Sequence, residues 1–180
     1  MYREGKANIC ECGGHCWAPA TQWGVVIVDA QDALLLQGYS WHLMNPRRRS
    51  PYAKSFRCKS PTTPSGALLH LAVLDFPKQE VDHKNGNGLD CRRNNLRPCG
   101  HQENTFNQTA RGGTSVHRGV HWSKEKNRWS AQANADGKRK FLGAFDFELD
   151  AAICYNYHAA HIHSDFARLN AIPSNEYTHD

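Results

Sequence analysis

At 180 residues the chain has room for one ordinary domain or two small ones, and 39% hydrophobic with 10% aromatic residues supports only modest cores. A formal charge of +5 makes a polyanion a reasonable partner. The longest apolar run, residues 23–28, is far short of the roughly 20 residues that cross a bilayer, and no amino-terminal segment reads as a secretory signal. Membrane insertion and secretion are therefore not expected, and the seven cysteines suit a reducing compartment better than a disulfide framework.

Residues 1–22 read as an irregular lead-in carrying Cys10, Cys12, His15 and Cys16, four soft or borderline metal ligands within seven residues. They lack paired CxxC spacing, so free thiols are the simpler reading and a structural zinc, helped by Cys58, the alternative. Residues 23–28 read as a buried strand, and Asp29 is positioned to cap a short helix over 30–37 that Gly38 ends. Residues 39–44 and 52–59 are candidate strands, joined by a basic turn at 45–49. Its Arg47, Arg48 and Arg49 either meet phosphates or are simply solvated. A Pro/Thr/Ser loop at 60–66 leads to an apolar helix or buried segment at 67–74, in which His70 reads as a core histidine.

Residues 79–83 form a short strand pattern ending in Asp82-His83. Asn85-Gly86-Asn87-Gly88 is a dense turn signal, and residues 96–99 can be only a brief extended return before a short helix over 100–108. Strand, loop, strand and helix would bring Asn95 and Asn104 back toward Asp82 and His83. That set suits phosphodiester hydrolysis, which wants a cation on the phosphoryl oxygens and a base near neutral pKa. Asp82 and Asn104 offer oxygen ligands for one hard divalent ion, Mg²⁺ or Mn²⁺, and His83 offers the base. Arg92, Arg93 and Arg97 lie within the same segment and are candidates to hold substrate phosphates. Cys91 and Cys99 flank the loop without making a recognised metal knuckle.

Residues 109–115 pair two glycines and lack apolar periodicity, as a linker does. Beyond it, residues 116–123, 128–135 and 138–144 read as strands and 148–163 as a helix with Ala152, Tyr155 and Ala159 on one face. Cys154 reads as a small core residue, and His158, His161 and His163 lack the partners of a metal site. Charge is segregated: seven Lys or Arg against two acids over 117–141, but four acids and no Lys or Arg over 146–165. The sheet face away from the helix should then be basic, carrying Trp122 and Trp129.

The run Val81-Asp82-His83-Lys84-Asn85-Gly86-Asn87-Gly88-Leu89-Asp90, then Arg93-Asn94-Asn95-Leu96-Arg97, then Gln102-Glu103-Asn104 resembles the HNH endonucleases, in their Asp-His form. Gly100 and Leu71 depart from that pattern. The resemblance implies a ββα-metal fold with Asp82 and Asn104 on the cation, His83 as general base, and Asn95 fixing the loop or the imidazole. Over 114–170 the chain resembles the ethylene-response-factor or APETALA type of DNA-binding domain, through Arg118-Gly119-Val120, Arg128-Trp129, Phe141-Leu142-Gly143, Phe145, Ala151-Ala152, Tyr155 and Ala167-Arg168-Leu169-Asn170. That likeness implies a sheet in the major groove of double-stranded DNA, with Arg118, His121, Trp122, Arg128, Trp129, Gln132, Asn134, Arg139, Phe141 and Tyr155 facing it.

Together these give an α+β expectation: a ββα-metal nuclease module plus a small three-stranded antiparallel sheet covered by one helix. The boundaries are a lead-in at 1–22, a nuclease domain at 23–108 with its core at 79–108, a linker at 109–115, a DNA-binding domain at 116–170 and a tail at 171–180. The implied activity is a homing-type DNA endonuclease in the cytoplasm of a bacterial or phage-infected cell, with no membrane and no obligatory protein partner. The rival is a non-catalytic DNA-binding regulator.

Overall fold

A computed structural model describes residues 7–21, 24–37, 40–45, 50–56, 66–108, 112–135 and 137–173. The expectations for Arg47, Arg48 and Arg49, for Cys58, and for residues 109–111 of the linker lie outside these. The chain divides into two compact units, 1–100 and 101–180.

In the first unit, strands β1 (Asn8–Ile9), β2 (His15–Pro19) and β3 (Val25–Asp29) make an antiparallel sheet in that order. Alternation decides which side chains turn inward: Cys16 pairs with Val28 and Ala18 with Val26, and all four are buried. The lead-in is thus sheet from residue 8 onward, a correction to the irregular segment expected there. The segment after β3 is a 3-10 helix, Ala30–Leu35, and Asp29 makes no side-chain cap to it. Strands β4 (Ser40–Met44) and β5 (Tyr52–Phe56) form a hairpin, and helix α1 (Leu69–Val73) sinks Leu69 and Val73, four residues apart, into the core. Strands β6 (Glu80–His83) and β7 (Leu96–Cys99) pair antiparallel, with Val81, Asp82 and His83 all buried. One cluster links these pieces, running through Val26, Val28, Leu36, Trp41, Ala53, Leu69, Val81, Cys91 and Leu96. The loop between β6 and β7 is also joined to β3 through the backbone, since Ile27 N–H donates to Leu89 O at 2.9 Å and Cys91 N–H to Ile27 O at 2.8 Å.

In the second unit, strands β8 (Val120–Ser123), β9 (Arg128–Ala135) and β10 (Lys138–Phe145) form a sheet with β9 in the middle. Helix α3 (Glu148–His163) lies across it because its inward face is small: Ala151, Ala152 and Ala159 are fully buried against Val120, Ala131 and Ala133. Gly119 has φ +75, and a Cβ there would run into the Tyr155 ring and the Gln132 carbonyl. A register shift between Phe141 and Gly143 leaves Leu142 packed into the alanine clusters while Phe141 is exposed. Helix α2 (His101–Phe106) belongs to this unit. Phe106 stacks on His163 with ring centroids 3.8 Å apart, and Thr105 O accepts from Arg118 Nη2 at 2.9 Å.

These findings correct the expected fold class. The described chain is mostly strands in four small antiparallel sheets, two of three strands and two of two, with few helices. It is not clearly a ββα-metal module, and the short helix expected to complete the β6–β7 hairpin is grouped with the second unit. Phe106, the one buried residue of α2, finds an aromatic partner in His163. Among the described residues no helix is long and apolar enough to cross a membrane.

Candidate functional site

The β6–β7 hairpin places Asp82 opposite Arg97 and His83 opposite Leu96. The turn that follows His83 is built from its own asparagines: Gly86 N–H donates to His83 O at 2.7 Å, and Asn85 Oδ1 accepts from Asn87 N–H at 2.8 Å. Asn95 closes the loop. Its Oδ1 accepts from Asn85 N–H at 3.0 Å, and its Nδ2 donates to Asn85 Oδ1 at 3.1 Å and to Asp90 O at 2.7 Å. Of the two roles implied for Asn95, these bonds are those of the loop and not of the imidazole.

His83 is only 3% exposed and sits in an aromatic nest. The His70 ring meets it edge-on at 4.9 Å, the Tyr52 ring lies 5.7 Å away, and Cys91 Sγ is 3.8 Å from His83 Nε2. Burial pushes His83 down to about 4, with Asp90 pulling weakly the other way. His70 falls to about 3, first through burial and then through the neighbouring His83. Burial also raises the Cys91 thiol well above its usual range, so it stays protonated. All these groups are therefore neutral at pH 7. His70 Nδ1 is buried without a hydrogen-bond partner.

The charged residues around the hairpin are paired. Asp82 Oδ2 accepts from Arg97 Nε at 2.8 Å and Nη2 at 2.6 Å, and both side chains are largely buried. Arg92 grips Asp90 through Nε at 2.8 Å and Nη2 at 2.7 Å. Burial works to raise Asp90, but the Arg92 guanidinium outweighs it and holds the carboxyl below its ordinary value. Arg93 forks onto Asp32 at 2.9 and 2.7 Å, while its backbone N–H donates to Asp29. Arg92 and Arg93 keep exposed edges, but Arg97 does not. Asn104 lies on α2 in the second unit.

The cation expected on Asp82 has to be judged against this geometry. A hard divalent ion wants several oxygen ligands. Within the first unit Asp82 commits one oxygen twice over to a guanidinium. Among the described residues no group of three His, Cys, Asp or Glu gathers at the hairpin.

On the second unit's sheet, register sorts the residues into two faces. His121 pairs with Ser130, Gln132 with Phe141 and Asn134 with Arg139, so these side chains share the face turned away from α3. Lys126 Nζ lies 4.0 Å from the Phe141 ring centroid, adding a cation there. Arg128 has the same parity and pairs with Asp146 at 3.0 Å on the surface. Four expected DNA-facing residues, Trp122, Trp129, Tyr155 and Arg118, are placed elsewhere. Trp129 packs into the helix-covered cluster and meets Trp122, its cross-strand partner, edge-on at 5.3 Å. Tyr155 is 2% exposed and receives a 2.6 Å bond from Arg118 Nε, so the latter serves the interior.

At the other end of the chain, Cys10, Cys12 and His15 bring their ligand atoms within 4.8 Å of one another, while Cys16 is buried in the core. Cys16 is therefore not a partner of the other three, a second correction to the cluster read from the sequence. The residues that sequence reasoning missed are those around His83. Tyr52 arrives from β5, with no local signal, His70 read only as a core histidine, and Cys91 only as flanking the loop.

These observations describe a strand-rich, two-unit protein with a buried histidine hairpin in one unit and a mixed polar and basic sheet face in the other. No family model matches the chain, and no solved structure matches it. It is similar to Protein 3.8 of Escherichia phage T7, at 34% identity over 90 residues that span 49% of this chain and 74% of that protein. The chain belongs to the family of phage T7 Protein 3.8.

Proposed function

We propose that this chain is a DNA endonuclease in which the open sheet face of the second unit holds a duplex and the β6–β7 hairpin hydrolyses a phosphodiester bond. The observation that carries the reading is His83: a neutral imidazole next to Asp82, on a hairpin whose loop Asn95 pins with three hydrogen bonds. The likeness of residues 81–104 to the HNH endonucleases supports the same assignment. A base must be unprotonated to accept a proton from water, and burial keeps His83 so at pH 7. Its resting pKa of about 4 is low for that task, and a phosphate anion beside the ring would raise it toward neutrality. Water attacks phosphorus as His83 takes its proton, the P–O3′ bond breaks, and the departing 3′ oxygen takes up a proton from solvent, leaving a 5′ phosphate and a 3′ hydroxyl. Arg92 carries positive charge with an exposed edge beside the loop, suited to a backbone phosphate. Asp82, one of the two residues that would hold a divalent ion, is engaged by Arg97, and no step is routed through a metal.

The second reading is a non-catalytic DNA-binding regulator. The Asp82–Arg97 pair favours it, since that carboxylate is already neutralised inside the hairpin. Relaxation of supercoiled plasmid in Mg²⁺ buffer separates the two. Nicking by the intact chain, lost in His83→Ala while a gel shift still shows DNA binding, supports the endonuclease. Binding without any nicking by the intact chain supports the regulator.

A further inference from the structure

The turn between β1 and β2 carries a ligand set that neither the nuclease reading nor the sheet face uses. Cys10, Cys12 and His15 offer two thiols and an imidazole within 4.8 Å of one another, and Cys12 Sγ is already 3.2 Å from His15 Nδ1. A tetrahedral zinc needs its sulfur and nitrogen ligands about 3.5–3.8 Å apart, from bond lengths near 2.3 and 2.0 Å. Closing on an ion therefore asks for side-chain shifts of about 1 Å or less.

The backbone holds this arrangement before any ion arrives. Cys10 N–H donates to His15 O at 3.0 Å and Gly13 N–H to Cys10 O at 2.8 Å, with Gly13 at φ +69 in a conformation that favours glycine. Strand alternation then separates the nearby cysteines by role. His15 stays partly open at the turn, whereas Cys16, the next residue, points into the core at 1% exposure. β2 is anchored by β3 and the core, but β1 is two residues long and both are exposed. A two-residue strand without a buried face is marginal in water.

We propose that Cys10, Cys12 and His15 bind one zinc ion at the tip of the first hairpin, with two thiolates, one imidazole and a fourth position left to water. Bound there, the ion ties β1 and its turn to β2. The thiols release their protons as zinc binds, and no oxidant or reductant is involved.

The experiment uses the reduced, metal-free full chain. Zinc is titrated against a chromophoric chelator, and cobalt(II) is added to a parallel sample for its thiolate charge-transfer absorbance. One equivalent should bind, weakened by about a hundredfold or more in Cys12→Ser and in His15→Ala. Cys154→Ala should bind like the parent. Amides of residues 8–14 should exchange more slowly with zinc present. Uptake of the same equivalent by Cys10→Ser/Cys12→Ser, cobalt absorbance without the thiolate band, or no uptake at micromolar free zinc would each overturn the assignment. None of these readouts depends on DNA, so they stand apart from the outcome of the nicking assay.

Discussion

Acidification from pH 7 to pH 5 should weaken the first unit by several kcal/mol through His70 and His83 alone. Burial holds their folded values at about 3 and about 4, against an ordinary value of 6.5. In the unfolded chain both rings take up protons as pH falls through about 6.5, whereas in the folded unit they resist until pH is near 4 and then near 3. The unfolded state therefore binds more protons across this window. The stability that the two neutral rings maintain is complete above about 6.5 and is lost as pH drops toward their folded values. Integrated from pH 7 to 5, each ring costs roughly 2 kcal/mol, or about 4 together. That is a large part of the roughly 5–15 kcal/mol that holds an ordinary domain. Urea titrations at pH 7, 6 and 5, read by hydrogen exchange in peptides from Val25–Asp29 and Leu69–Val73, measure the loss directly. Replacing His70 with Phe should roughly halve the steepness due to this pair between pH 6 and 5. A first unit with equal urea midpoints at pH 7 and 5, or imidazole signals of both rings titrating near 6.5 in the folded chain, would refute the reasoning.

Three further outcomes test other parts of the structure. Arg97→Met strips the guanidinium from the buried Asp82 and should cost about 3 kcal/mol, part of which Asp82→Asn in the same chain restores; a double-mutant cycle with no coupling counts against a buried ion pair. Asn95→Ala leaves the Asn85 N–H and the Asp90 carbonyl short of a partner and should destabilise the first unit by about 2–4 kcal/mol in urea, so a loss below about 0.5 kcal/mol would show that the loop is held by something else. Arg139→Ala should weaken duplex binding and lower the slope of log K against log salt by roughly one, and an unaltered slope would remove the open sheet face from the DNA contact.

Local pattern was legible where a segment's own residues decide its structure. The periods of 128–135 and 148–163 read directly as the strand Arg128–Ala135 and the helix Glu148–His163. The asparagine-glycine turn after His83 was legible for the same reason, since Asn85 bonds its own backbone two residues on. What escaped were decisions made at long range. The stack of Phe106 in helix α2 on His163, nearly sixty residues along, left no local signal. Arg92, Arg93 and Arg97 read as phosphate ligands, but the chain also supplies Asp90, Asp32 and Asp82 to meet them. Trp129 reads as a DNA-facing aromatic because composition cannot say which side of a strand is covered; register with Trp122, and α3 above, decide it. The strand His15–Pro19 was hidden because Cys, Ala and Pro give almost no hydrophobic alternation to see.

The backbone hydrogen bonds that join Ile27 to Leu89 and Cys91 mean that residues 79–99 cannot be lifted out as a self-sufficient cassette. Trimming the chain ahead of residue 30 would strip the Leu89 carbonyl and the Cys91 amide of their mates and leave the inner wall of the loop wet. Anyone seeking a minimal version of the histidine hairpin must therefore carry the amino-terminal sheet along with it.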